Sequence, residues 1–285
     1  MKAEASVEAA GLRIGGLSVG GVDTCIDVPA FKLAFDLGRC PDVAVQRPVV
    51  LFTHAHVDHM GGVVWHAAMR ALRGMPPPTY IVPRVDCEAF AALFDVWRRL
   101  DRSDLPHRVV PLGPGEEHDL GGGRLVRPFR SPHRVPCQGY AIWSRRQRLK
   151  PAFRDLPQEE LRRLRVEEGV AISEAVETPE LAFTGDCRIE VVEREEVVRT
   201  ARVLVLEATF LDERVPVELS RAKGHVHLDE IAERAELFEN EAIVLSHFSA
   251  RYRDSEIPRL LDRALPAALR SRVVPLLPRG PARSG

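Results

Sequence analysis

Imidazole and carboxylate side chains crowd the run His54-Ala55-His56-Val57-Asp58-His59, directly after the apolar stretch Val49 to Phe52. Both groups bind zinc and its first-row neighbours. Read as an extended segment, the alternation puts His54, His56 and Asp58 on one side, with His59 pointing elsewhere. One ion takes His54 and His56 plus ligands from afar, which leaves Asp58 and His59 for a second. The run is therefore expected to open a dinuclear metal site. A polar loop with a chance histidine cluster is the competing explanation, and the dense spacing after a strand-like run disfavours it.

Other chemistry-bearing residues stand at the ends of apolar runs. Leu181 to Phe183 leads through Thr184-Gly185 to Asp186, Val203 to Leu206 leads to Glu207, and Ile243 to Leu245 leads to His247. In α/β folds ligands gather at strand ends, so these residues are expected to converge on one rim. Asp186, after a tight Gly turn, suits a carboxylate bridging two cations roughly 3.5 to 4 Å apart. His133, in SPHRVPCQGY, offers a third imidazole to the first ion. The expected shells are His54, His56, His133 and Asp186 for one ion, and Asp58, His59, Asp186 and His247 for the other. Taken singly, each distant residue has a blander role: a loop histidine at 133, an Asx turn at 186, a capping histidine at 247. Together they fill two sites.

The elements that must position these side chains alternate strands and helices along 285 residues, with no linker or internal repeat, as a single α/β domain would. Leu12 to Ile14, Thr24 to Val28 and Lys32 to Leu37 read as an opening meander, with Gly15-Gly16 and Gly20-Gly21 as its turn chemistry. Gly62 to Leu72 reads as a helix that stops at Gly74. A second helix carries Phe90, Leu93, Phe94, Trp97 and Leu100 at helical spacing. That stripe is expected in the core, with a dimer contact as the alternative. A net charge of −1 leaves partners undefined, and no apolar run approaches the length of a bilayer span. Met1-Lys2-Ala3-Glu4 lacks the apolar core of a signal peptide, so a cytoplasmic protein is expected. The 5 cysteines form no CxxC pair and read as reduced thiols.

The order FDLG (Phe35 to Gly38), HAHVDH, His133, Asp186, His247 resembles the metallo-β-lactamase superfamily. Within it, LEATF (Leu206 to Phe210), GHVH (Gly224 to His227) and HFSARY (His247 to Tyr252) resemble short-form, plant-type ribonuclease Z. GRCP at 38–41 and the stretches 148–165 and 238–252 extend the likeness over nearly the whole chain. The resemblance implies a four-layer αββα sandwich with a dinuclear site along one edge. It also implies hydrolysis of precursor transfer RNA just 3′ of the discriminator nucleotide, leaving a 3′-hydroxyl. Asp58 would then bind metal and accept the proton of the attacking water. Glu207 and His225 would form the proton-donating pair on the leaving side. Two Zn2+ per chain are implied, with Mn2+ or Fe2+ as substitutes, together with a homodimer.

Departures from the family pattern bear on the details. GHVH replaces the commoner GHST, and His227 is read as structural. Leu206 stands where a His is common, and Cys187 follows Asp186 where Thr is usual. The long forms' RNA-clamping arm is replaced by a shorter basic segment at about 145–165. Its Arg145, Arg146, Arg148 and Lys150 are expected to track RNA phosphates near the site rim, against the alternative of a solvated, ion-paired face. The tail 278–285 is expected to be disordered. Rival functions are another superfamily phosphodiesterase, acting on a small molecule or cyclic nucleotide, and a catalytically silent RNA-binding or dimer partner.

Overall fold

An antiparallel meander opens the chain: β1 (Ala5–Ala9), β2 (Leu12–Gly20), β3 (Asp23–Val28) and β4 (Leu33–Phe35). Three parallel strands extend it, β5 (Val49–Leu51), β6 (Thr79–Pro83) and β7 (Arg108–Leu112). A second sheet begins antiparallel, with β8 (His118–Gly121), β9 (Arg124–Arg130), β10 (Gln138–Leu149) and β11 (Ser173–Phe183). It ends parallel, with β12 (Val203–Glu207), β13 (Ala242–Ser246) and β15 (Val273–Pro275). Between these last two, β14 (Phe248–Ser249) crosses to the first sheet and pairs with β2. This computed structural model describes residues 4–278; of the tail expected to be disordered, all but Pro278 lies outside the described residues.

Alternation within the strands explains the layering. Val203 and Val205 face the other sheet, while Leu204 and Leu206 face the helices. Between the sheets Phe35, Leu51 and Ile81 meet Tyr140, Ile142 and Phe183, with the Phe35 and Phe183 ring centroids 4.9 Å apart. Burying each such side chain stabilises the fold by about 1.5–3 kcal/mol. Helices cover both outer faces, giving helix, sheet, sheet, helix in one domain. The expected Gly15-Gly16 turn is corrected: both glycines lie inside β2, and only Gly20 onward turns. At Gly16, φ is 115° and a Cβ would stand 1.9 Å from the Cys25 carbonyl oxygen, so glycine lets β2 and β3 approach.

The helix Cys87–Asp101 divides its stripe. Phe90 and Phe94 are buried against the first sheet, whereas Leu93, Val96, Trp97 and Leu100 remain exposed. Beneath the same layer, His66 on the helix Val63–Leu72 hydrogen-bonds Tyr80 OH (2.9 Å) and the Ala44 carbonyl (3.1 Å). Burial depresses its pKa from 6.5 to about 4. The folded state thus binds fewer protons than the unfolded one, so stability is full above pH 6.5 and is lost as pH falls toward 4. The loss is on the order of 3 kcal/mol. Urea titrations of chelated protein at pH 7 and 4.5 are expected to show a smaller acid loss for His66→Gln than for wild type. An identical loss would refute the assignment.

Candidate metal centre

The ends of β5, β11, β12 and β13 meet at one edge of the sandwich and bring there every ligand expected from the sequence. His54, His56, His133 and Asp186 form one group of mutually close ligand atoms; Asp58, His59 and His247 form another. Asp186 stands between them. Its Oδ1 lies 3.3 Å from His59 Nε2 and 3.2 Å from His247 Nε2, and its Oδ2 lies 4.0 Å from His54 Nε2. Gly185 makes the turn that delivers it, at φ 60°, where a Cβ would fall 2.7 Å from Thr53 Cγ2.

One expectation about the histidine run is corrected. The chain is extended only to His56, and Val57–Met60 is a helical turn. Period two therefore fails at Asp58, and His59 turns inward rather than elsewhere. Its ring centroid is 4.1 Å from that of His54, and its Nε2 is 3.6 Å from Asp58 Oδ2.

Hydrogen bonds fix which nitrogen each ring presents. A carboxylate only accepts, so the Thr53 hydroxyl donates to Asp36 (2.9 Å) and accepts from His54 Nδ1–H (3.0 Å). Thr209 repeats the device across the site: its hydroxyl donates to Glu207 and accepts from His247 Nδ1–H at 2.9 Å. His59 Nδ1–H donates to Asp36 (2.8 Å), and His133 Nδ1–H to the Gly224 carbonyl (2.8 Å). All four Nε2 lone pairs thus face one another, and those of His59, His133 and His247 are buried without a hydrogen-bond partner. Only His56 presents Nδ1, 2.9 Å from His54 Nε2. Buried, unsatisfied acceptors with oriented outer nitrogens are what a divalent cation requires, and the residues fit it.

Electrostatics agree for three of these rings, and His59 is the exception. Burial holds His54 down to about 2 and lowers His133 and His247, so these imidazoles keep their lone pairs at neutral pH. Burial also opposes charge on His59, but Asp186 and Asp36 outweigh it and raise that pKa. Desolvation would raise Asp186, yet His247 and His59 hold it well below the usual range.

Beside the cluster, buried Glu207 pairs with half-buried His225, Oε1 to Nδ1 at 3.0 Å, with His225 Nδ1 3.9 Å from Asp186 Oδ2. The backbone N–H groups of Cys187 (2.6 Å) and Val226 (3.3 Å) also donate to Glu207. Desolvation disfavours His225 as a cation, but Glu207 prevails and lifts its pKa to about 9. The imidazolium form, which has a proton to give, is thereby favoured. At position 187 it is the backbone N–H that serves the site, and the thiol is buried. His227 is occupied by the fold: Nδ1 caps the helix Leu228–Glu233 through Asp229 N–H, and Nε2 donates to the Asp212 carbonyl.

Asp36, Thr53 and Thr209 had no role assigned from sequence, although Asp36 follows a strand end just as Asp186 does. Thr209→Val, which keeps the shape and removes the hydroxyl, is expected to lower metal affinity or phosphodiester hydrolysis roughly 10–100-fold. Thr209→Ser should restore most of it; a fully active Val variant would refute the relay.

The basic segment is corrected as well. Gln138 N–H bonds the Thr53 carbonyl beside the cluster, and β10 runs away from there. At about 3.3 Å per residue, Arg145 to Arg148 lie roughly 20–35 Å along the strand, not at the site rim. Arg145 pairs with Glu177 (2.7 Å) and Glu117 (3.4 Å). Arg146 and Arg148 project from the opposite face, where with Thr178 and Val176 they line a groove of about 520 Å³. Lys150 follows the strand and is half-buried.

A family model described as Beta-lactamase superfamily domain matches residues 22–248. The chain is 42% identical over 278 residues to tRNase Z TRZ1 of Arabidopsis thaliana, covering 97% of this chain and 99% of that protein. It is 37% identical to tRNase Z TRZ2, chloroplastic, of the same plant, over 96% and 79% of the two chains. The crystal structure of human tRNase Z, short form (ELAC1), matches with a TM-score of 0.58 at 17% identity, covering 92% of this chain and 95% of that one. By descent and by fold, the chain belongs to the ribonuclease Z (tRNase Z) family of the beta-lactamase superfamily.

Proposed function

We propose that the protein is a metal-dependent endoribonuclease that removes the 3′ trailer from precursor transfer RNA, cutting 3′ of the discriminator nucleotide and leaving a 3′-hydroxyl. The observation that carries this reading is the Glu207–His225 pair set against the ligand cluster, in a chain so similar to proteins named tRNase Z. Two zinc ions, or manganese or iron in their place, would be held by His54, His56, His133 and Asp186, and by Asp58, His59, Asp186 and His247. Such ions supply hydroxide from water near neutral pH and neutralise charge on the phosphoryl oxygens. Asp58, at the mouth, takes the proton of the attacking water. His225, kept cationic by Glu207, delivers a proton to the departing O3′ of the transfer RNA. Incubation with a 3′-extended precursor and mapping of the product ends tests the reading; cleavage elsewhere, or none, refutes it.

A homodimer belongs to the same proposal, supported by the exposed Leu93, Val96, Trp97 and Leu100 face, and is checked by sedimentation. In it the β10–β11 hairpin of one subunit would meet RNA seated at the other's centre, since that hairpin leads away from its own. Among the basic candidates Arg146 and Arg148 carry this role better than Arg145, whose charge is already paired. Arg146→Glu with Arg148→Glu is expected to raise KM for precursor transfer RNA about tenfold or more and to flatten its salt dependence, with a small chromogenic diester hydrolysed as before. Equal loss on both substrates would assign the hairpin a packing role instead. Cytoplasmic residence completes the proposal; the 5 thiols, all free, suit a reducing compartment.

A further inference from the structure

Next to the metal centre lies a cleft of about 700 Å³ that no step above uses. Leu17, Val19, Val22, Pro41 and Ala250 supply apolar walls. Its position is fixed by Gly38, where a Cβ would meet both the Asp58 carbonyl oxygen (2.3 Å) and Asp23 Oδ1 (2.4 Å). Asp23 lines the cleft, so cleft and centre share that wall. On the other flank Val19 precedes Gly20, whose own Cβ would stand 3.4 Å from His247 Cε1, and Ala250 follows His247 by one short strand. No residue of the His225 loop, 224–227, contributes to the lining.

We propose that this cleft seats the base of the first trailer nucleotide, the one whose 5′-phosphate is cut. The inference rests on the endoribonuclease reading. His225 protonates the departing O3′, so the transfer RNA leaves on the His225 side; the attacking water stands opposite O3′, and the trailer nucleoside, held through the equatorial O5′, projects to the side of that axis, where a flank not lined by the His225 loop is open to it. A single-stranded trailer has unstacked bases, which seek apolar platforms. The volume and mostly apolar lining suit a planar ring system with a few polar groups at its edge. Charge rules out a phosphate inside, because Glu4, Asp23 and Asp42 all border the space. The cation at the rim is Arg39, whose guanidinium makes no hydrogen bond among the described residues and attracts the Asp23 carboxylate only at longer range. Its backbone N–H instead holds Asp23 Oδ1 at 2.9 Å, which keeps the wall in place. Arg39 is thereby available to the phosphate that follows the seated base.

The experiment compares precursor transfer RNAs that differ only in whether the first or the second trailer nucleotide is abasic. Wild type is expected to lose about tenfold in kcat/KM when the first base is missing, and much less when the second is, the scale of one lost stacking contact. Val22→Trp fills the cleft from an exposed turn. It should bring cleavage of the intact precursor down to the abasic level while leaving the abasic precursor and a small chromogenic diester unchanged. Equal wild-type cleavage of intact and first-abasic precursors overturns the proposal, and so does a Val22→Trp loss shared equally by both. Failure of wild type to cut any precursor while it hydrolyses the small diester overturns the endoribonuclease reading itself, and the two failures are therefore distinct.

Discussion

Asp186→Ala is expected to abolish trailer removal and to leave the chain with less than half of the roughly two metal ions that wild type should carry. Asp186 faces both ligand groups: one oxygen looks to His59 and His247, the other to His54 and His225. Alanine therefore leaves two half-built shells rather than one weakened shell. The fold should survive, because sheets and helices close around apolar layers and do not depend on ions in the way a zinc finger does. Elemental analysis, a cleavage assay and far-ultraviolet circular dichroism check the three parts together. A variant that keeps both ions and cuts within tenfold of wild type would falsify the bridging assignment. His54→Ala should move in the same direction.

His225→Ala and Glu207→Gln are expected to slow trailer removal by roughly two to four orders of magnitude, the span for a positioned acid, with metal content near that of wild type. The separation from the first prediction comes from geometry. Both residues lie beside the ligand groups, and His225 already spends Nδ1 on Glu207. Glu207 is the more constrained of the two: it receives Cys187 N–H, Val226 N–H, the Thr209 hydroxyl and His225 Nδ1–H. An amide there would point its own N–H groups at donors. Loss of metal in His225→Ala would recast His225 as a ligand within the Asp186, Glu207 and His247 group. His227→Ala should instead cost about 1 kcal/mol of stability, as expected for a lost helix cap, with little change in rate.

Strand-end residues were legible in the sequence because each follows an unbroken apolar run, buried but for Val49, and the sandwich forces those runs side by side. The expected ligands accordingly all reach one edge. What sequence periodicity missed was local. HAHVDH reads as alternating, yet a helical turn starts just after His56, so the spacing rule changes midway through the motif. The pair Gly15-Gly16 looks like turn chemistry, but a close strand approach needs glycine just as much. Arg145 to Lys150 fall between two ligands in sequence, and only strand direction shows that nearness along the chain becomes distance in space. Hydroxyl relays such as Thr53 and Thr209 leave no spacing signature, since each acts through a single hydrogen-bonded neighbour.

The short strand β14 has a consequence for how the molecule comes into being. It pairs Phe248 with Val19, and beside it His247 N–H bonds Ser18 Oγ across a sequence separation of 229 residues. At synthesis rates of about 5–20 residues per second, the meander waits on the order of 10–45 s for this partner to leave the ribosome. Until then His54, His56, Asp58 and His59 exist without His247, and the Val19–Gly20 end of β2 lacks the partner that β14 supplies. A nascent or prematurely terminated chain therefore carries the His54, His56, His133 and Asp186 group without the second, and is expected to fall short of the full hydrolytic centre.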